Sequence, residues 1–306
     1  MRAMKAIGKI GIIGRGALGI MYADALSRFD VRFIADEARR KKYDTETVTL
    51  NGRPFGCTFA SAPSEFAPDL IVFAVKAGGL DSALRTAAPF AGRDTVLLSV
   101  MNGITSEDVI GAALGRGNLV HCVVQGMDTV KIGADVRWSR FGRFHVGITD
   151  PARTEALSRL TAAFDEAGVP YTVESDIMLR LWSKFMLNVG INQVCHAYKC
   201  GYGAVMRDGE ERRVMIAAMR EVLALANAEG VGLTERDIDF YLGLLAGLDP
   251  GNMPSMRQDG LEKRRSEVDI FAGEVIRRAE KLRIPVPVNE ELRRRIEAID
   301  EENASA

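Results

Sequence analysis

Apolar positions in the first half of the chain fall into short continuous runs. Residues 7–13 are rich in isoleucine and closed by Gly14; further runs occupy 31–35, 69–75, 95–100, 119–124, 144–148 and 169–173. Runs of this length between turn residues predict buried strands. Between most of them the spacing becomes helical. Leu18, Met21, Tyr22 and Leu26 predict a helix over about 16–27, and similar patterns cover 80–88 and 106–114. The stretch 119–148 has no helical pattern and predicts neighbouring or antiparallel strands. A helix over 153–167 follows Pro151 and stops at Gly168. Strand and helix in alternation predict a parallel sheet with helices on both faces.

After about residue 175 the strand pattern does not recur. Residues 176–197, 210–229 and 234–245 read as helices, and 256–283 reads as one long helical stretch. Pro285 and Pro287 break the pattern before a final helix over 289–299, and only the terminal EENASA reads as frayed. The expected class is α/β: a doubly wound domain over 1–175, then an all-helical domain over 176–306, with no internal repeat.

Composition agrees with two globular domains. The chain has 306 residues, 47% hydrophobic and 26% charged. Forty Lys and Arg against 41 Asp and Glu leave a net charge of −1, which gives no electrostatic reason to expect nucleic acid or an anionic membrane as partner. No run approaches the roughly 18–20 apolar residues of a membrane span. Cys57, Cys122, Cys195 and Cys200 form no CxxC pair, so neither a disulfide framework nor a zinc site is expected. The opening MRAMKAIGKI leads into a strand without a signal-peptide core. These features predict a reduced, soluble, cytoplasmic protein without a metal. No HExxH, GxSxG or GxxxxGK[ST] occurs, so zinc protease, hydrolase and P-loop chemistry lack support.

Gly14-Arg15-Gly16-Ala17-Leu18-Gly19 fits GxGxxG and sits between an apolar strand and an amphipathic helix, the context a dinucleotide site requires. The first glycine makes the turn, the second admits a pyrophosphate, and the third lets helix and strand pack closely. A turn without a ligand is the other reading. Asp36, about 20 residues on, is placed to bind a ribose 2′-OH and so marks NAD. Arg39, Arg40, Lys41 and Lys42 follow at once and could hold the 2′-phosphate of NADP, or form a solvated helix face. Residue chemistry alone leaves that choice even.

The most informative segment is Leu181-Trp182-Ser183-Lys184-Phe185-Met186-Leu187-Asn188-Val189-Gly190-Ile191-Asn192. Lys184, Asn188 and Asn192 form one polar row in a helix otherwise apolar, hence buried. Buried amine and amides need partners, since an unpaired polar group costs roughly 1–3 kcal/mol. A polar ligand would supply them, and a desolvated lysine can act as a proton donor. An interhelical ladder or a solvent-facing stripe is the alternative. Lys76 and Asn102-Gly103 end apolar strands at the carboxyl edge where such sheets bind ligands, although Asn-Gly is also a common turn. Ser255 precedes the long helical stretch, where it could be a helix cap. Glu267 and Asp269 lie within that stretch and could be surface acids. His121, His145 and His196 form no ligand pattern and read as structural.

With these residues assembled, the chain resembles the ketopantoate reductase family over nearly its whole length. The resemblance is carried by GRGALG at 14–19, Val75-Lys76, Asn102-Gly103, LWSKFMLNVGIN at 181–192 and NMPSMRQDGLEKRRSEVDIFAGEV at 252–275. It implies an N-terminal Rossmann domain that binds NADPH and a helical domain that closes over the substrate. The implied reaction reduces the 2-keto group of ketopantoate to the hydroxyl of pantoate, for pantothenate and coenzyme A synthesis. Carried over, Lys184 would be the proton donor, and Asn188, Asn192 and Ser255 substrate ligands. Asn102 would lie between nicotinamide and substrate. The loop Gly14, Arg15, Gly16, Ala17, Leu18 and Gly19, with Lys76 and Glu267, would serve the cofactor, NADP(H) more than NAD(H). Helical second domains of such enzymes often pair, so a homodimer is one assembly the resemblance allows. Two departures stand out. A substrate-binding asparagine that the family can carry past this helix is replaced near Tyr202, in KCGYG, and Asp36 is unusual beside NADPH. A related 2-keto- or 2-hydroxy-acid oxidoreductase, or a non-catalytic dinucleotide-binding regulator, is the alternative reading.

Overall fold

The computed structural model describes residues 5–60 and 62–305. The expected lead of residues 1–4 into the first strand, and Ala306 at the tail, lie outside the described residues. The chain forms two compact units, one running to Ile177 and one starting at Met178.

The first unit contains strands β1 (Lys9–Ile13), β2 (Asp30–Ile34), β3 (Val48–Leu50), β4 (Arg53–Phe55), β5 (Phe59–Ala60) and β6 (Leu70–Phe73). It continues with β7 (Val96–Ser99), β8 (Leu119–Gln125), β9 (Asp128–Ile132), β10 (Asp135–Arg140), β11 (Arg143–Gly147) and β12 (Tyr171–Val173). Its helices are α1 (Ala17–Ala25), α2 (Glu37–Asp44), α3 (Leu80–Ala87), α4 (Ser106–Leu114) and α5 (Thr154–Ala167). Eight strands form one sheet in the order β12-β11-β8-β7-β6-β1-β2-β5. Its pairings are parallel except β8 with β11. Because β1 lies between β2 and β6, the chain winds outward from β1 in both directions. That reversal opens a crevice at the carboxyl end of β1, where the glycine loop begins.

Both faces of the sheet are covered, which is why its strands read as continuous apolar runs. Ile10, Ile12, Leu70 and Val72 face one core with Leu160 and Phe164 of α5. Ile13, Ile71, Phe73 and Leu97 face the other with Leu84 and Ala87 of α3 and Ile110 of α4.

A second sheet, ordered β4-β3-β10-β9, is absent from the sequence expectation. Its three-residue strands β3 and β4 are too short to show a period. Their turn is more legible: Asn51 and Gly52 both have positive φ, 48° and 78°, and Asn-Gly between alternating residues is a strong hairpin signal. The expected antiparallel strands of 119–148 are present as β8 and β11, with the β9–β10 hairpin diverted to this second sheet. The charge run 39–42 lies on α2, which buries no residue.

The second unit is built from α6 (Ile177–Ala197), α7 (Tyr202–Met206), α8 (Glu210–Ala228), α9 (Glu235–Ala246), α10 (Ser255–Leu261), α11 (Ala272–Leu282) and α12 (Pro287–Ser305). The single helical stretch expected over 256–283 is instead two helices. α10 ends where Lys263 turns left-handed at φ 53°, its N–H bonding to Gly260 O and that of Arg264 to Asp259 O. This is a Schellman ending, and glycine usually takes the left-handed place. A lysine there hides the stop from the sequence. α12 also differs from expectation: it starts at Pro287, a residue suited to the first helical position, and runs to Ser305, within the stretch read as frayed.

Within this unit α6 is clamped by side chains as well as by packing. Trp182 and Phe185 meet edge to face at 5.9 Å, and Gly190 lies so close to α8 that a Cβ there would be 2.6 Å from Met219 Cγ. Gln193, fully buried, donates to Asn289 Oδ1 at 3.0 Å and to Val189 O at 2.8 Å, and accepts from Ala272 N at 3.0 Å. Asn289 in turn donates to the Glu221 carboxylate at 2.7 Å. This network joins α6, α8, α11 and α12. Gln193→Ala should therefore lower unfolding free energy by about 2–4 kcal/mol, because it leaves two polar groups unpaired in a dry core. Urea denaturation at constant slope is the measurement; a loss under about 0.5 kcal/mol would refute the network's structural weight.

Candidate functional site

The glycine loop follows β1 into α1, and each glycine has a distinct physical reason. Gly14 adopts φ 111°, and a Cβ there would stand 2.3 Å from Ala74 O. A Cβ on Gly19 would stand 1.9 Å from Gly14 O, so α1 can approach the loop only without a side chain. Gly16 differs: its Cβ would meet nothing nearer than Ala74 O at 4.0 Å. Space is thus kept open at the second glycine alone, at the start of a nine-residue helix whose cap gives no side-chain hydrogen bond. Exposed N–H groups and the helix dipole there suit a phosphate. The cradle fits a dinucleotide pyrophosphate.

Arg15, the residue between the first two glycines, is 4% exposed. Its guanidinium stacks 4.0 Å from the Tyr43 ring centroid and pairs with Glu46. That charge is therefore committed to the end of α2, and the residue's loop role rests on its backbone. Lys131 of β9 donates from Nζ to Arg15 O at 3.0 Å, which ties the second sheet to the loop. Burial, then the neighbouring Arg15 charge, hold the Lys131 ammonium below its ordinary pKa. The sequence reading did not single out Lys131, since a lysine on a short hairpin carries no motif.

Beside the loop a solvent-open cleft of about 440 Å³ is lined by Gly14, Ala35, Arg39, Tyr43, Val75 and Thr86 among others. At its edge Asp36 caps α2, accepting from Arg39 N at 2.8 Å, and its second oxygen takes the Arg39 guanidinium at 2.5 Å. The same guanidinium donates to Ser82 Oγ at 2.8 Å, bridging α2 to α3. The acid and the base that pull the cofactor assignment in opposite directions are thus paired. Lys76, exposed, follows β6 at the same sheet edge.

Asn102 and Gly103 occupy the turn between β7 and α4, with Asn102 half-buried and Gly103 at φ 93°. A directed chain of hydrogen bonds closes that turn. Met101 N donates to Ser99 Oγ at 3.3 Å, Ser99 and Ser106 share a bond of 2.8 Å, and Ser106 Oγ donates to Glu107 Oε2 at 2.8 Å. Glu107 is fully enclosed, and burial pushes its carboxyl up to about 7. No motif marked Glu107; its place in a helix's first turn, where acids are common, made it look ordinary.

In the second unit, Lys184, Asn188 and Asn192 lie on α6 as a single row. Asn188 is 8% and Asn192 5% exposed, and Lys184 is half-buried. Leu181, Trp182, Phe185, Met186, Val189 and Ile191 around them are buried. Ser255 is exposed and begins α10 itself; the cap position belongs to Pro254, so Ser255 is not the cap. The end of α6 and the turn before α10 are joined, because Tyr202 N donates to Asn252 O at 2.8 Å and His196 Nδ1 to Met256 O at 2.9 Å. This brings the segment bearing Ser255 to the C-terminal end of the row. Glu267 is half-buried, just before the 3₁₀ turn Val268–Ile270.

Of the histidines, His121 is buried and depressed to about 4, first by burial and then by the Arg153 charge, which leaves it neutral. His145 Nδ1 lies 2.5 Å from Glu174 Oε1. Among the described residues no three His, Cys, Asp or Glu side chains gather to hold a metal ion, and no helix is long and apolar enough to cross a membrane.

Two family models match the chain. Residues 10–151 match "Ketopantoate reductase PanE/ApbA", and residues 176–300 match "Ketopantoate reductase PanE/ApbA C terminal". A 2-dehydropantoate 2-reductase of Vibrio cholerae is 26% identical over 295 residues, covering 95% of this chain and 98% of that protein. One of Halobacterium salinarum is 30% identical over 234 residues, covering 75% of each. The crystal structure of a PanE/ApbA family ketopantoate reductase from Ralstonia eutropha superposes with a TM-score of 0.83 at 28% identity, covering 97% of this chain and 99% of that one.

The buried Glu107 gives a testable pH dependence. Its carboxyl titrates at about 7 when folded, against an ordinary 4.5. It therefore favours the fold fully below the lower value, and that stabilisation is lost as pH rises through the upper one. The span corresponds to roughly 3 kcal/mol. Glu107→Gln cannot ionise, so between pH 5 and pH 8 it should gain stability relative to the parent protein. Urea unfolding at both pH values tests this, and parallel pH profiles for the two proteins would contradict it.

Proposed function

The chain belongs to the ketopantoate reductase family, an NAD(P)H-dependent oxidoreductase family, and from that premise we propose that it reduces 2-dehydropantoate to pantoate. Lys184 gives the proton in this reading. The observation that carries it is the row on α6, two nearly buried carboxamides in line with a half-buried amine. When bound, reduced nicotinamide supplies a hydride to the keto carbon. Charge building on the carbonyl oxygen then needs a proton and a hydrogen-bond donor, and the Lys184 ammonium is both. Asn188, Asn192 and Ser255 bind and orient the keto acid, and such positioning is itself a large catalytic contribution. Asn102 orients nicotinamide and substrate, while Lys76 and Glu267 serve the cofactor. The product would enter pantothenate and coenzyme A synthesis in the cytoplasm. A different 2-keto acid is the second reading. Tyr202 favours it, since it stands near the place of a family asparagine and its backbone clamps Asn252.

For the cofactor we propose NADP(H). Asp36 already spends its oxygens on the α2 cap and on Arg39, which lowers its value as a ribose ligand. The Arg39 guanidinium lines the cleft beside the loop, where a 2′-phosphate could replace Asp36 as its anion. Asp36 itself favours the other choice, NAD(H).

Lys184→Ala should lower kcat by about 10²–10⁴-fold while leaving dinucleotide affinity unchanged. Turnover on a keto-acid panel and fluorescence titration read the two quantities separately. Parental turnover would remove Lys184 from the acid role, and activity on another acid with none on ketopantoate would reject the substrate. Arg39→Ala should weaken NADPH by about tenfold and leave NADH nearly untouched. Equal losses for both, or a parent protein that prefers NADH, would reject NADP(H).

A further inference from the structure

We propose that Cys195 and Cys200, at the C-terminal end of α6, are a built modification site: a dithiol that a peroxide converts into an intramolecular disulfide. The two residues are five apart and form no familiar motif. What brings them together is the way the helix stops. Lys199 turns left-handed at φ 52°, its N–H bonds to His196 O at 3.1 Å, and the N–H of Cys200 returns to Cys195 O at 2.9 Å. These are the two bonds of a Schellman ending, in which the side chains at the bonded positions, three before the cap and two after it, come into contact.

The same ending occurs four more times among the described residues, and each occurrence shows what the geometry does to that pair; α8 stops at left-handed Gly230 and pairs Ala226 with Val231. α5 stops at left-handed Gly168, with Val169 N on Phe164 O, and both side chains are buried in one core. α10 stops at Lys263, and the paired positions are Asp259 and Arg264, which form an ion pair of 2.8 Å. α11 stops at Arg283, and pairs Ala279 with Ile284. On α6 the paired positions hold two sulfhydryls, near enough for each to shift the other's pKa.

Their environments divide the labour. Cys195 is completely buried and directs a further weak bond, 3.9 Å, to Gly201 O. Cys200 is half-buried, so a small oxidant can reach it. Interaction with the Cys195 thiol holds the Cys200 thiol below its ordinary pKa, against an opposing effect of burial; Glu211 opposes the shift and Arg257 favours it. Cys195 is pushed up by the same interaction and by burial. An accessible thiol with more thiolate character beside a resolving thiol is the arrangement that oxidises readily and reversibly. Cys57, by contrast, is half-buried and raised by burial despite Arg15 and Lys131 nearby.

The chemistry balances with a peroxide as oxidant. The Cys200 thiolate attacks one peroxide oxygen, the O–O bond breaks, and a sulfenic acid and hydroxide result. The Cys195 sulfur then attacks the sulfenic sulfur and displaces its oxygen, which leaves as water with the Cys195 proton, while the proton that Cys200 gave up on ionising neutralises the hydroxide. Two thiols lose two electrons and two protons; one peroxide becomes two waters. In a reducing compartment such bonds are transient. Cys195 lies three residues beyond Asn192, and Cys200 adjoins the backbone that holds Asn252, so the bond would lock the end of the polar row to the segment leading to Ser255.

The test uses the reduced full-length protein titrated with hydrogen peroxide, followed by alkylation, intact mass and peptide mapping. Its readout is chemical and does not depend on the proposed activity. The expected result is a loss of about 2 Da, with Cys195 and Cys200 together withdrawn from alkylation at least about tenfold faster than Cys57 or Cys122, and full recovery with dithiothreitol. Cys195→Ser should leave a Cys200 sulfenic acid that dimedone traps and excess peroxide drives to sulfinic acid. Cys200→Ser should leave Cys195 reduced at the same dose. Oxidation of Cys57 or Cys122 first, sulfinic acid at Cys200 of the parent protein without a 195–200 link, or unchanged oxidation of Cys195 in Cys200→Ser would each overturn the assignment.

Discussion

A helix enclosed by its neighbours must still satisfy every polar group it carries, and the second unit is organised by that demand on α6. Apolar residues cover most of the helix, and its three carboxamides, Asn188, Asn192 and Gln193, are all under 10% exposed. Gln193 meets the demand within the protein, binding α11 and α12 side by side. Asn188 and Asn192 lie with Lys184 on a different face, about 100° or more around the helix from Gln193. The same helix thus has one polar face devoted to holding the fold and another in line with an amine. A purely structural helix would need only the first. That division is the physical core of the enzymatic reading.

The first unit depends on a complementary constraint, the absence of side chains. Gly14 and Gly19 let β1, α1 and the strand end at Ala74 come closer than any Cβ would allow. Gly16 is not needed for packing, since space remains around it. A turn required by the fold alone would not keep that position small. Two glycines make the cradle and the third keeps it open, which ties the local backbone to the ligand it can receive.

Much of this was legible in the sequence because burial on both faces leaves continuous apolar runs, and glycines between strand and helix leave a fixed spacing. The row Lys184, Asn188 and Asn192 was legible for the same reason, as polar residues against an apolar ground. What escaped shares a different cause. β3 and β4 are three residues long, too short for a period, although Asn51-Gly52 carried the signal of their turn. Glu107 owes its character to enclosure by Ser106 and β8, which no local pattern encodes. The end of α10 was hidden because a lysine occupies the place where glycine would announce a stop.

That last case reaches beyond helix boundaries. A left-handed lysine or arginine costs roughly 1–2 kcal/mol relative to glycine, yet the second unit uses one at Lys199, Lys263 and Arg283. In each, a specific return of the chain offsets the strain. Arg264 reaches Asp259, Ile284 comes back over α11, and Cys200 returns to Cys195. The terminations are therefore set by the paired residues on either side of the left-handed position as much as by that position. A sequence reading that looks for glycine misses them, whereas one that looks for a matched pair five residues apart finds an ion pair, an apolar pair and a pair of thiols. Of these only the thiols can form a covalent bond. Among the described residues, the motif that ends α6 thus places the only chemically convertible pair of this kind at the end of the helix that carries the polar row.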